Sequence, residues 1–234
     1  MSMEIRKHLE VELLAALKQT TSPHLDLKAS KNKLGLLAAK EKFGEIYVQH
    51  LTKADGYYAG LEIHTCEAFS FCKEQSPPYE SRLLNASFLS KSSLSEEAKQ
   101  FGDELGGIIR TPSPQAISAT VKKISERLEK FFLPKAEHSV LGSPALFDDV
   151  LAEPDNYAFP FLTIVFAAHK NNLSLDSDVL NAWRSSLMST NSAQLGSRNF
   201  MLSRSCFTTN VWATRVPGRF LPNKGSDTSS CSRA

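Results

Sequence analysis

Glu62, His64 and Cys66 bring a carboxylate, an imidazole and a thiol to alternate positions of one short segment. In an extended strand alternate residues share a face, and neighbours of such a set stand about 7 Å apart. A histidine within hydrogen-bond reach of a cysteine can hold it as the thiolate, the chemistry of cysteine-dependent hydrolases and transferases. At strand spacing the two side chains do not touch directly. Activation of Cys66 by His64 therefore requires them to lean together and a third group to orient the imidazole. The plainer reading of the same residues is a solvated sheet face. A further reading is a contact surface for another protein, because Tyr47, Gln49, Tyr58, Glu62 and His64 fall on one side and tyrosine is a preferred interface anchor.

Other constellations are weaker. His64, Cys66 and Cys72 could donate to zinc, but their spacing is not that of a zinc knuckle and a closed site takes four ligands, so no metal is expected. Neither a Gly-rich phosphate loop, nor H-E-x-x-H, nor G-x-S-x-G occurs in the sequence, and no cofactor is expected. His50 falls on the apolar side of its strand and reads as a hydrogen-bonded core histidine. His169 is placed to serve helix C-terminal carbonyls, and His138 beside Glu137 reads as a loop pair. Asp148 and Asp149 point roughly 100° apart on a helix, so they form no carboxylate dyad and suit its first turn.

The strand that carries the reactive set belongs to a hairpin expected over 45–72, EIYVQHLTKADGYYAGLEIHTCEAFSFC. Asp55-Gly56 is a preferred two-residue loop, because both residues tolerate positive φ. With Ala54 opposite Tyr57, Val48 faces Ile63, His50 faces Leu61, Gln49 faces Glu62 and Tyr47 faces His64. One face then holds Ile46, Val48, His50, Leu61, Ile63 and Thr65, and the other Glu45, Tyr47, Gln49, Tyr58, Glu62, His64 and Cys66. The alternation fails after Ile63, where either the strand outruns the covered core near Glu67 or a bulge shifts the faces.

Around this hairpin the chain reads as α+β: an N-terminal helix, a small antiparallel sheet built on the hairpin, and a helical C-terminal half. Residues 3–18 carry Ile5, Leu9, Leu13 and Leu17 at helical spacing. Leu25, Leu27 and Ala29 alternate with polar residues as a strand leading into the sheet, and lysines 28, 31, 33, 40 and 42 read as the solvated guard of an edge. A short element is expected around Arg82 to Leu89, and a helix over 94–105 capped by Ser93. Ser113-Pro114 opens the clearest helix, with Ile117, Val121, Ile124, Leu128, Phe131 and Phe132 on one stripe until Pro134. Ser143-Pro144 opens another, stopped by Pro154. Phe159 to Ala168 is apolar on all sides and marks a buried helix, and Val179, Leu180, Trp183 and Leu187 form the stripe of a last one.

The longest apolar run, Phe159 to Ala168, is half the roughly 20 residues that cross a bilayer, so no membrane span is expected. Glu4, Glu10 and Glu12 interrupt the first apolar pattern, which fits neither a secretory signal nor a transit peptide, and a cytoplasmic protein with reduced thiols is expected. After Asn191 the composition turns basic. Residues 190–234 carry +5, leaving −3 of the overall +2 on the rest. A single domain over 1–190 followed by a weakly docked or partly disordered extension over 191–234 is the expected division. The lysines and this tail allow a nucleic-acid reading, but a net charge of only +2 without a stacking or groove-reading motif disfavours it. The expected function is a protein-interaction or regulatory module working through the polar and aromatic sheet face, with a Cys/His-dependent enzyme as the alternative.

Overall fold

The computed structural model describes residues 3–38, 40–77, 80–83, 86–94, 101 and 107–173. It is an α+β fold: helix α1 (Met3–Leu17), strands β1 (Asp26–Ser30), β2 (Lys33–Ala38), β3 (Glu41–Leu51) and β4 (Gly56–Ile63), then helix α2 (Glu67–Glu74). Strands β5 (Leu89–Ser92) and β6 (Ile109–Arg110) follow, and helices α3 (Ile117–Arg127), α4 (Leu133–Leu141), α5 (Pro144–Ala152) and α6 (Pro160–Lys170) complete the described chain. The sheet is an antiparallel meander in the order β1-β2-β3-β4-β5, and β6 continues along the β4 edge that β5 leaves free.

The hairpin forms in a different register from the one expected. Val48 pairs with Ala59, Gln49 with Tyr58, His50 with Tyr57, and Gly44 with Ile63. The loop is therefore the four residues 52–55, with only Asp55 in the left-handed region at φ 43°. Gly56 enters the strand instead of turning, since a Cβ there would meet Ile108 Cγ2 at 2.5 Å and the Ile109 carbonyl oxygen at 2.8 Å. The shift is by an even number of residues, so every side chain as far as Ile63 keeps its expected face.

Beyond Ile63 the strand ends, and neither a bulge nor an overhanging strand follows. Cys66, in an extended conformation, precedes α2, whose buried residues Ala68, Phe69 and Cys72 have helical spacing. The residues that broke the strand alternation are a short helix. The segment 25–38 likewise holds two strands where one was expected. Lys31 takes φ 54° in the tight turn, and Leu34 and Leu36 of β2 are buried.

Leu34, Leu36, Ile46, Val48, Leu61, Ile63 and Leu89 supply the inner face of the sheet, and Leu9, Leu13 and Leu17 of α1 join them in one core with Val121, Ile124 and Leu128. The long helix does not stop at Pro134. Leu128–Phe132 forms a π-type turn in which the Leu133 N–H donates to the Leu128 carbonyl, and α4 begins with Pro134 in its first turn. The widened turn absorbs a residue that lacks an N–H and would crowd a regular helix. His138 is thus helical, and α4 ends at Gly142 with φ 61° and ψ 40°. The buried helix over Phe159–Ala168 is present as α6. The helices expected over 94–105 and 177–189, the extension over 191–234 and the division at 190/191 lie outside the described residues, Leu94 and Phe101 excepted.

No helix among the described residues is long and apolar enough to cross a membrane.

Candidate functional site

The outer face of the sheet is built by the residues whose parity opposes the core. Cross-strand pairing puts Glu45 beside Glu62 and Gln49 beside Tyr58, with Tyr47 opposite Gly60. Gly60 lets the Tyr47 ring lie over the strand, because a Cβ there would stand 2.2 Å from Tyr47 Cζ. The rings of Tyr47 and Tyr58 meet edge to face at 90° with centroids 6.1 Å apart, a favourable aromatic geometry. The Tyr58 hydroxyl donates to Gln49 Oε1 at 2.6 Å. The face is thus internally ordered.

Its charges are paired within the face. Lys42 lies 2.7 Å from Glu45 Oε2, and Lys33 reaches the other oxygen of the same carboxylate. Burial works to raise the Glu45 carboxyl, but the two lysines together hold it below its usual range. Burial, with Glu62, Tyr58 and Glu45 around it, pushes the Tyr47 phenol up to about 12. At neutral pH Tyr47 is a neutral hydroxyl.

His64 stays on this face with its side chain 43% exposed. Its Nε2 is 3.9 Å from Glu62 Oε2 and its Nδ1 is 3.1 Å from Ser87 Oγ. Serine, histidine and glutamate lie together, but the two ring nitrogens are exchanged relative to a hydrolytic triad and Glu62 is beyond hydrogen-bond reach; Ser87 is a neighbour that no spacing rule in the sequence announced. The arrangement lacks an accessible nucleophile, since Ser87 is only 1% exposed.

Cys66 does not share the face. It turns inward at the start of α2, is 4% exposed, and burial pushes its thiol up to about 12. Cys72 is also buried, with its sulfur 3.8 Å from Thr163 Oγ1. The helix that replaces the expected strand carries both sulfurs into the core, away from His64. Among the described residues no three His, Cys, Asp or Glu side chains gather as a metal site.

A second polar cluster, not foreseen from the sequence, lies between β5 and the helices. Glu153 accepts from Lys91 at 2.7 and 2.8 Å and from Asn156 at 2.7 Å, and Lys135 stands 2.9 Å from its Oε2. Asp149 pairs with Lys135 and with His138, each at 3.4 Å, so its role is a tertiary ion pair and not only a favourable place on the helix. Both lysines are almost wholly buried, where an ion must be paired. Lys91 occupies an inner-face position on β5, opposite Leu61, and Glu153 follows α5 directly, so the cluster ties the sheet to the helical layer. His169 is exposed, and the carbonyls it was expected to serve are taken by neighbours. The Asn171 side chain donates to the carbonyl of Ala167 at 2.8 Å and the Leu173 N–H to that of Ala168 at 2.9 Å.

Comparison with protein-family models, with curated proteins and with solved structures finds no match.

Proposed function

We propose that the protein is an interaction or regulatory module whose outer sheet face, centred on Tyr47, Gln49, Tyr58, Glu62 and His64, receives another protein. The observation that carries this reading is the fixed edge-to-face pair of Tyr47 and Tyr58 seated on Gly60. Two aromatic anchors held in place lose little side-chain freedom on binding, and pre-organisation of this kind is a main source of affinity. Internally paired lysines and glutamates around them give the polar rim that a reversible interface has. A cytoplasmic location belongs to the same proposal, in keeping with the free thiols of Cys66 and Cys72.

The enzyme alternative draws no comparable support, because the sulfur of Cys66 and the hydroxyl of Ser87 are both buried. Nor does nucleic-acid binding, since Lys33 and Lys42 are already engaged by Glu45. The test is site-directed photo-crosslinking from position 49 in the native cell, followed by affinity measurement with the captured protein. The reading requires Tyr58→Ala to weaken that affinity at least about tenfold, the loss of one interface anchor. An unchanged affinity overturns it.

A further inference from the structure

Strand β3 outruns its neighbour. Pairing with β2 ends at Lys33 and Tyr47, and the turn residue Asn32 closes the ladder by accepting from the Val48 N–H at 2.9 Å and donating its side-chain amide to the Val48 carbonyl. Between the remaining end of β3 and helix α1 lies a groove of about 480 Å3, with Arg6 and Glu10 on the helix side and Asn32, Gln49, His50 and Tyr57 on the sheet side. That volume falls within the range of about 300 to 1,000 Å3 usual for small-molecule sites.

Two polar atoms among the groove-lining residues have no partner. The Tyr57 hydroxyl and His50 Nδ1 are both buried without a hydrogen bond, on side chains that are 2% and 6% exposed. A fold rarely leaves such groups unsatisfied without a reason. His50 Nε2 faces Asp55 Oδ1 at 3.4 Å and Thr111 Oγ1 at 3.5 Å. Nε2 is thus engaged, and Nδ1 is the ring nitrogen left without a partner. The two rings are 5.0 Å apart, so a ring nitrogen and a hydroxyl without partners lie on adjoining side chains of the groove wall.

Arg6 and Glu10 are paired along α1, on the helix wall of the groove, at 2.8 Å and are 49% and 42% exposed. An exposed pair of this kind opens at little cost, and once open it adds one more donor and one more acceptor.

The lining selects against anions. Arg6 is matched by Glu10 and Lys33 by Glu45, which leaves Glu62 to repel an anion. It also selects against flat bases. The apolar contribution is Leu13, Val48 and the rings of Tyr47 and Tyr57; the first ring is engaged over Gly60 and the second lies edge-on to His50, so they do not make two facing planes. What matches alternating donors and acceptors without net charge is a molecule whose every polar group does both. We propose that this groove binds a neutral saccharide, whose neighbouring hydroxyls bridge Tyr57 and His50 at one side and Asn32 and the opened Arg6–Glu10 pair at the other. Tyr47, Gln49 and Glu62 border both this groove and the outer face, but none of the contacts proposed for the sugar uses them.

The test is amide chemical-shift titration of the full chain with D-glucose, N-acetyl-D-glucosamine and maltose in turn. At least one sugar is expected to give saturable shifts centred on Asn32, His50 and Tyr57. Tyr57→Phe, which removes only the unpartnered hydroxyl, is expected to weaken that binding about tenfold, a hydrogen bond's worth, with a melting temperature unchanged or raised. Glu10→Ala, on the exposed side of α1, is expected to weaken it as well. The absence of saturable shifts with all three sugars, shifts centred elsewhere, an unchanged affinity in Tyr57→Phe or a lowered melting temperature in that variant each overturns the proposal.

Discussion

Tyr47 lies across Gly60, its partner on the next strand, so closely that a Cβ at position 60 would sit 2.2 Å from the ring. Gly60→Ala must push the ring away, and overfilling of this kind costs about 1 to 3 kcal/mol. At Gly44 the obstacle is backbone, since a Cβ there would stand 2.1 Å from the Glu62 carbonyl oxygen and 2.9 Å from the Ile63 Cα. Gly44→Ala should therefore cost more than Gly60→Ala in urea denaturation. The reverse order would mean that the tyrosine is held more rigidly than the strand.

Ile124 and Leu128 are 0% and 2% exposed and lie on the stripe that continues through the π-type turn. Truncating either to alanine should destabilise by about 2 to 5 kcal/mol. A loss under about 0.5 kcal/mol, the scale of surface changes, would place the stripe outside the core.

Glu153 gives the stability a defined pH dependence. Burial works to raise its carboxyl, but Lys91 and Lys135 outweigh burial and hold it below the unfolded value of 4.5. A group with a depressed folded pKa contributes stability that is complete above the unfolded value and is lost as pH falls through the folded one. Denaturation midpoints should accordingly fall below about pH 4.5, with Glu153 one contributor. Glu153→Gln should remove that part of the slope. At neutral pH it should cost toward the lower end of about 3 to 5 kcal/mol, since it leaves two buried ammonium groups short of a partner.

Cys66 should be slow to react. Its thiol is pushed up to about 12 by burial, so at neutral pH almost none is thiolate, the reactive form. Iodoacetamide labelling followed by peptide mapping should modify Cys66 only after denaturant is added. Rapid labelling in the native state would restore a thiol-based chemistry at this strand end.

The two faces of the sheet are legible in the sequence, but their register is not. Alternation of Ile46, Val48 and His50 against Tyr47 and Gln49 reports only parity, and parity survives any even slip. The slip itself comes from Asp55-Gly56, a favoured turn pair whose glycine is needed instead for close contact with Ile108 and Ile109, far along the chain. Cys66 turns inward where strand parity would set it outside, because a helix as short as α2 shows only Ala68, Phe69 and Cys72 as its signature, too few to separate from a faltering strand. Pro134 reads as a stop, and nothing local announces the π-type turn that lets the chain continue. His64 with Ser87, and Lys91 with Glu153, meet across 23 and 62 residues, contacts that periodicity cannot report. The amphipathic stripes of α1 and α3 and the all-apolar α6 are legible because burial repeats at the helical period within each.

Docking of a partner protein on the outer sheet face is best tested by comparing two photo-crosslinking positions in the full chain. Gln49 lies on that face, and Lys122, 78% exposed, lies on α3 in the helical layer. A discrete protein adduct is predicted from position 49 and none from position 122, with loss of the first when Tyr58→Ala is introduced. Equal adducts from both positions, or an adduct from position 49 that survives Tyr58→Ala, would contradict it.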